Sequence, residues 1–311
     1  MISWLRNRLS NMARNGSGRA QPAASPAHAY SPFNEILPRS STANKHRLLI
    51  GTPCTGLVRA EWAFARFGAI IPCNWSHGSF LYHTPAVAPL SYTVADAQNV
   101  CCKKLLEIDA KWLFLHEEDN VLPPDTFLIF NEYMLAEDVP VVSGLYFTKS
   151  LPAEPMTYRG RGTSYYDAWK IGDKVWCDGV PTGCLLVHNS IIRALWEESE
   201  EYLAGGNTLT RRIFTAPESA WCDPEKGWQA HGGTSDLEWC SRMIVKDIFR
   251  KADWSEFAGK QYPFVVDTRI LTPHIRQDGI MFPSERDLAY WRKSPEERRE
   301  ERRRERDEQR K

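Results

Sequence analysis

The chain has 311 residues, 42% hydrophobic and 25% charged, with 39 Lys plus Arg balanced by 39 Asp plus Glu. That size suits one large α/β domain or two smaller ones, and zero net charge gives nucleic acid no electrostatic hold as the main partner. No run approaches the roughly 20 apolar residues of a membrane span, and the eight cysteines show no C-x-x-C pair, which points to reduced thiols in a cytosolic compartment.

Met1-Ile2-Ser3-Trp4-Leu5-Arg6-Asn7-Arg8-Leu9 lacks the apolar core of a signal peptide. It suits a short basic amphipathic helix, which makes residues 1–14 a candidate for peripheral membrane contact; a frayed terminus is the plainer reading. Residues 10–44, rich in Ser, Ala, Pro, Asn and Gly, read as a linker. Residues 1–44 are thus a basic segment and linker ahead of a domain over 45–283.

Order is expected from Arg47-Leu48-Leu49-Ile50-Gly51-Thr52-Pro53, a short apolar strand ending in turn residues. A helix over 59–67, a second strand over 69–73 and a helix over 94–108 follow. Trp112-Leu113-Phe114-Leu115-His116 is a further strand, and Pro123-Pro124 opens a helix over 123–136. With a strand over 139–146, this alternation predicts βαβ units, an α/β fold with a mainly parallel sheet and flanking helices. Beyond Thr148 the pattern turns to aromatics, glycines and short apolar runs at 176–177 and 183–187, a mixed subregion covering a site. Helices are expected over 189–202 and 235–246. The stretch 205–233, with Trp221 and Trp228 among Gly and Pro, reads as a long loop and candidate lid. Residues 284–311 are a charged tail, nearly all Glu and Arg from 296, either a solvated helix or disordered.

Glu117-Glu118-Asp119 closes the apolar strand 112–116 with three adjacent acids. Their mutual repulsion does nothing for folding, so a positive group belongs there. Mg²⁺ or Mn²⁺ sites combine one or two such carboxylates with substrate phosphates. A solvated acidic turn is the bland alternative.

The order of motifs over about residues 46–280 resembles the GT-A glycosyltransferases, particularly the family-two-like enzymes of bacteria and phages. Leu48 to Pro53 resembles the strand that starts the nucleotide pocket, Asp96-Ala97-Gln98-Asn99 the helix start before the metal strand, with Gln98 in place of the usual Arg. Glu117-Glu118-Asp119 stands where the family has its D-x-D motif. Val142-Ser143-Gly144-Leu145-Tyr146 and Thr182-Gly183-Cys184-Leu185-Leu186-Val187 are similar to the next two conserved-pattern strands. Thr234-Ser235-Asp236-Leu237-Glu238 resembles the acceptor-side helix start, with Ser235 replacing a Glu, and Thr272-Pro273-His274-Ile275 the loop whose histidine completes the metal site.

The resemblance implies a GT-A-like (Rossmann-like) fold with a mixed acceptor-side subregion. It implies Glu117, Asp119 and His274 on a divalent cation, Mn²⁺ or Mg²⁺, with Glu118 and Asn120 as alternative ligands. Thr52, Pro53, Asn99, Glu118, Gly144 and Gly183 would line the nucleotide-sugar donor, and Asp236 would be the catalytic base. The expected activity is metal-dependent glycosyl transfer of the hexosyltransferase type, with a glycan, lipid-linked or protein acceptor left open.

Each residue also has a plain structural use. Ser235-Asp236-Leu237-Glu238 spells a capping box, His274 can merely hydrogen-bond its loop, Asn99 can cap its helix, His116 can face solvent and Trp239 can pack in the core. A nucleotidyltransferase would need a Gly- and Lys-bearing phosphate loop, which Thr52-Pro53-Cys54-Thr55-Gly56 is not. A non-catalytic interaction protein on the same scaffold is the other alternative.

Overall fold

The computed structural model describes residues 48–54, 56–72, 83–84, 92–160, 164–216, 218–223, 227–232 and 234–309. Strand β1 (Leu48–Gly51) is buried along its whole length, and helix α1 (Ala60–Gly68) follows it. The two-residue strand β2 (His83–Thr84) pairs parallel to β1. Helix α2 (Val94–Glu107) is capped by Thr93, whose hydroxyl accepts from the Asp96 amide at 3.2 Å. It buries Gln98, Cys101, Cys102 and Leu105, the i, i+3, i+4, i+7 face expected of a helix laid on a sheet. Strand β3 (Trp112–His116) is also fully buried and runs parallel to β1.

Helix α3 (Thr126–Ala136) packs Phe127 and Phe130 edge-on against Phe114 of β3. After β4 (Val141–Leu145) come the short pair β5 (Tyr158–Arg159) and β6 (Ser164–Tyr165), then β7 (Lys174–Cys177) and β8 (Cys184–His188). Helix α4 (Asn189–Glu197) leads to two hairpins, β9 (Glu201–Ala204) with β10 (Thr208–Arg211) and β11 (Glu218–Asp223) with β12 (Gly227–Gly232). Helices α5 (Ser235–Val245) and α6 (Ile248–Lys251) precede β13 (Phe264–Leu271). The chain ends in the pair β14 (His274–Ile275) and β15 (Met281–Phe282), then α7 (Glu285–Trp291) and α8 (Pro295–Gln309).

The central sheet has the order β2-β1-β3-β8-β4-β13-β7. Pairings β1–β2, β1–β3 and β4–β13 are parallel, whereas β3–β8, β4–β8 and β7–β13 are antiparallel. The fold is α/β with flanking helices, as expected, but the sheet is mixed rather than mainly parallel. An apolar run such as Cys184 to Val187, buried on both faces, carries no mark of its direction.

Other expectations shift for local reasons. The run 69–72 is not a strand; Ile70 instead donates its amide to the Pro124 carbonyl at 2.7 Å, and Cys73 lies outside the described residues. The helix expected over 189–202 stops at Glu197, and the lid stretch is largely hairpin rather than loop. The charged tail is helical, with Arg298 as its buried anchor and Arg302 paired with Asp167 at 2.8 Å. Arg298 is fully buried, stacks 4.5 Å over Trp291 and donates to the carbonyls of Trp291, Asp167 and Trp169. The six described cysteines outside the β11–β12 hairpin are free thiols. No helix among the described residues is long and apolar enough to cross a membrane. Residues 1–14 and the linker lie outside the described residues.

Candidate functional site

Chain growth reverses at β1: β2 lies on one side of it and β3 on the other. In open α/β sheets a crevice forms beyond the carboxyl ends of the strands at such a point. Thr52-Pro53 leave β1 there, and Glu117-Glu118-Asp119 leave β3. A cavity of about 90 Å³ in this crevice is lined by Pro53, Cys54, Tyr92, Thr93 and the three acids. A larger one, about 390 Å³, lies on the other side of Glu118 and Asp119.

The acid turn is fixed by backbone on both flanks. Glu117 donates its amide to the Gly183 carbonyl at 3.0 Å, Ile275 donates to Asp119 at 2.7 Å, and Val121 donates to Pro273 at 2.9 Å. Beneath it His116 is fully buried, stacked on Trp62 at 4.9 Å and held to the Asn120 carbonyl at 2.7 Å. His116 is therefore a strut for the turn, not a solvent-facing strand end. Trp62 adds a bond from its indole N–H to the Glu117 carbonyl at 2.9 Å.

Asp119 and His274 are brought together. His274 Nε2 lies 3.2 Å from Asp119 Oδ2, and its Nδ1 lies 2.9 Å from the Phe147 carbonyl oxygen. Lys149 also reaches Asp119 Oδ2. Burial alone would push the Asp119 carboxyl up, but bonding and charge from His274 and Lys149 outweigh it and hold it at about 2. Lys149 carries the positive charge that the acid triplet called for. Nothing in its neighbourhood in sequence marks it beyond a position just past a buried strand.

Glu117 turns to different company. Its carboxyl accepts from Gln98 Nε2 at 3.3 Å. Burial, then repulsion from Asp119 and Asp236, pushes its pKa up to about 8. Gln98, itself fully buried, also donates to Thr182 Oγ1 at 2.9 Å and accepts from Ser235 Oγ at 3.2 Å. The position where the resemblance expected an Arg is thus an amide that joins the acid turn, the entry to β8 and the start of α5.

Asp236 is buried in the first turn of α5, and burial raises its pKa. The capping box is not formed. Thr234 is the cap residue, Ser235 bonds Gln98, and Glu238 pairs with Arg242 at 2.8 Å. Gly183 is needed for close approach, because a Cβ there would lie 2.8 Å from Tyr146 Oη and 2.9 Å from Glu117 Oε2. Gly144 sits inside the sheet, where a Cβ would strike Cys184 and Ile270. Thr52 is buried, with an Oγ1 that has no hydrogen-bond partner among the described residues.

Asn99 is placed elsewhere. Its amide N–H₂ donates to Tyr202 Oη and the Phe214 carbonyl, both at 2.9 Å, and its oxygen accepts from the Phe214 amide at 2.6 Å. That side chain is spent on tying α2 to the segment after β10. Trp239 stacks on Phe214 at 5.3 Å within the core. The side chains of Trp221 and Trp228 lie outside the described residues.

Does this turn fit a divalent cation? Among the described residues no group of three His, Cys, Asp or Glu is arranged to hold one. The pair Asp119–His274 fits as two ligands. A carbonyl oxygen only accepts, so Nδ1 carries a proton, and Nε2 is the ring nitrogen that faces the Asp119 carboxylate. That is the arrangement of a metal-binding histidine, whose second nitrogen donates to a carbonyl. Asn120 turns its amide nitrogen to Asp119 Oδ1 at 3.1 Å, and its buried Oδ1 has no partner among the described residues. Two protein ligands would leave the remaining positions of such an ion to substrate oxygens, as Mg²⁺ commonly does.

No family model and no curated protein matches this chain. Among solved structures, the crystal structure of A197 from STIV is similar, with 14% identity over 76% of this chain and 88% of that chain and a TM-score of 0.43.

Proposed function

We propose that the chain is a glycosyltransferase that moves a sugar from a nucleoside-diphosphate donor to an acceptor hydroxyl. The observation that supports it best is the Asp119–His274 pair at the crevice between β1 and β3. The nucleoside would enter between Pro53 and Tyr92. Asp119 and His274 would hold Mn²⁺ or Mg²⁺ against the diphosphate. Such an ion supplies Lewis-acid stabilisation of the leaving phosphate oxygens.

Asp236 is the candidate base. Its burial makes the carboxylate a better proton acceptor than a solvated aspartate. Gln98, through Ser235, holds the start of α5 relative to Glu117. Gly183 lets the Glu117, Asn120 and Tyr146 side chains close on the start of β8, where a Cβ would strike all three.

One observation favours a non-catalytic alternative. Lys149 already neutralises Asp119, so the acid turn is stable without a metal. A panel of nucleotide sugars assayed for hydrolysis and transfer with Mn²⁺ separates the two. Turnover that disappears in Asp119→Asn supports the enzyme; absence of donor binding and turnover across the panel sinks it.

A further inference from the structure

We infer that the arginine face of α8 is a docking surface for the phosphate backbone of double-stranded nucleic acid, a role independent of any transfer chemistry. With about 100° between successive residues, Arg298, Arg299, Arg302, Arg303 and Arg306 fall within about 140° of the helix circumference. The acids of the helix, from Glu296 to Glu308, share the remaining arc with Arg304. Such segregation does not help a helix that merely sits in water. Arg299–Arg303 and Arg302–Arg306 are like charges four residues apart, and Arg299–Arg302 and Arg303–Arg306 are like charges three apart. Each of these spacings costs an isolated helix stability, whereas interleaved signs would add to it. An anion laid along the ridge removes that repulsion.

The ridge divides into anchors and free ends. Arg298 is spent on the carbonyls of Trp291, Asp167 and Trp169, and Arg302 on the Asp167 carboxylate at 2.8 Å. Those contacts hold the helix on the domain and set the direction in which its outer arginines point. Arg299, Arg303 and Arg306 are exposed, and none of them has an ion pair or hydrogen bond among the described residues. Arg304, on the acid side, is by contrast paired with Glu300 at 3.7 Å. Together with Arg302, the three free arginines line an open cleft of about 490 Å³, in which Asp307 is the acid among the described lining residues.

The side chains that α8 lacks select the partner. Beyond Pro295 it carries no apolar side chain. A protein partner would want an apolar centre with aromatic anchors, a bilayer an apolar face to insert, and a single strand aromatic rings on which to stack its bases. A duplex backbone needs none of these, because charge and hydrogen-bond donors alone hold it. Each free cation on the ridge is an arginine, whose fork meets phosphate oxygens with two parallel charge-assisted bonds. Zero net charge over the whole chain does not cancel the local field. Acids on the far side of the helix lie about 10–12 Å away, beyond the Debye length of about 8 Å at physiological salt.

Fluorescence anisotropy of a short labelled DNA duplex, titrated with the full chain over a salt series, tests this. Binding is expected with a Kd on the order of 10⁻⁶ to 10⁻⁴ M, and log Kd should rise with log salt at a slope of about 3, roughly 0.9 for each free arginine. Arg303→Gln should lower that slope by about 1. The triple variant Arg299→Gln/Arg303→Gln/Arg306→Gln should bring it close to zero, with at least about a tenfold loss of affinity at low salt. Glutamine keeps the helix propensity of arginine, so the melting temperature should stay as it is. Arg304→Gln, on the acid side, should bind like the wild type. No binding overturns the inference, and so does binding whose slope the triple variant leaves unaltered, which would put the contact elsewhere on the chain. Polyglutamate that displaces the duplex at equal charge concentration would replace nucleic acid by an acidic protein. Phosphatidylserine vesicles that retain the chain as tightly, with the same dependence on the three arginines, would replace it by a membrane.

Discussion

Ser235 donates its hydroxyl to Gln98 Oε1 at 3.2 Å, and through that amide the first turn of α5 is hung from α2 beside Glu117. The residue next to Ser235 is Asp236, so the candidate base inherits its place from a hydrogen bond rather than from a helix cap. Asp236→Asn should lower kcat for transfer by about 10²- to 10⁴-fold, the usual worth of a general base. Donor KM should barely move, because Asp236 is not among the residues lining the donor crevice. Glu238→Gln is the control, since that carboxylate is engaged by Arg242. Equal losses in both variants would point to a damaged helix instead of a lost base.

The shared oxygen of Asp119 yields a second prediction. Lys149 and His274 both approach Oδ2, so a divalent cation must compete with an ammonium for it. Mn²⁺ titrated alone should bind weakly, and UDP should tighten it by supplying phosphate oxygens. His274→Ala should cost at least about tenfold in Mn²⁺ affinity with UDP present. Lys149→Met should strengthen Mn²⁺ binding in the absence of nucleotide. Calorimetry reads all four, and an unchanged Mn²⁺ isotherm in His274→Ala removes the histidine from the site.

Asp119 and His274 meet because the loop after β13 lies on the acid turn through Ile275 and Val121. That convergence was expected only through the resemblance to the glycosyltransferase motif order; the residues alone show acids ending an apolar strand and a histidine after a late one. The apolar runs of β1, β3 and β4 were legible on their own, since strands buried on both faces need no alternation. The direction of β8 was not, because Cys184 to Val187 reads the same either way. Lys149 gave no signal, as a lone lysine in a loop looks solvated until its partner is in place. Asn99 shows the opposite failure: a polar residue at a motif position is occupied by Tyr202 and Phe214. The spelling Ser-x-x-Glu at 235–238 is likewise diverted from the helix end, Ser235 to Gln98 on α2 and Glu238 to Arg242 one turn along the same helix.

Helix α8 has no apolar stripe, and Arg298 is its buried anchor among residues otherwise largely in water. The guanidinium satisfies three carbonyls and covers the Trp291 ring. Arg298→Ala leaves those acceptors unpaired and removes the stacked stem, at a cost of roughly 2–4 kcal/mol. Limited proteolysis should then cut within Pro295–Gln309 while the rest of the domain resists. Arg304→Ala, which loses only an exposed 3.7 Å pair with Glu300, should leave the digestion pattern as it is.

His188 sets an acid limit on stability far from the crevice. It ends β8, accepts the Ser190 amide at 3.2 Å to cap α4, and packs edge-on against Trp112 and Trp254. Burial first, and then the Lys111 charge, lower its pKa from 6.5 to about 4. The unfolded chain therefore binds this proton more readily than the folded one. The contribution is fully present above pH 6.5 and is lost as pH falls through 6.5 towards 4. Its size is on the order of 2 kcal/mol, because the ring is only partly enclosed. Urea unfolding midpoints of the wild type should decline over that interval. His188→Asn keeps a capping acceptor without a titrating ring, so its midpoint should fall less steeply between pH 6.5 and 4. Parallel declines in the two proteins would show that some other group carries the acid sensitivity.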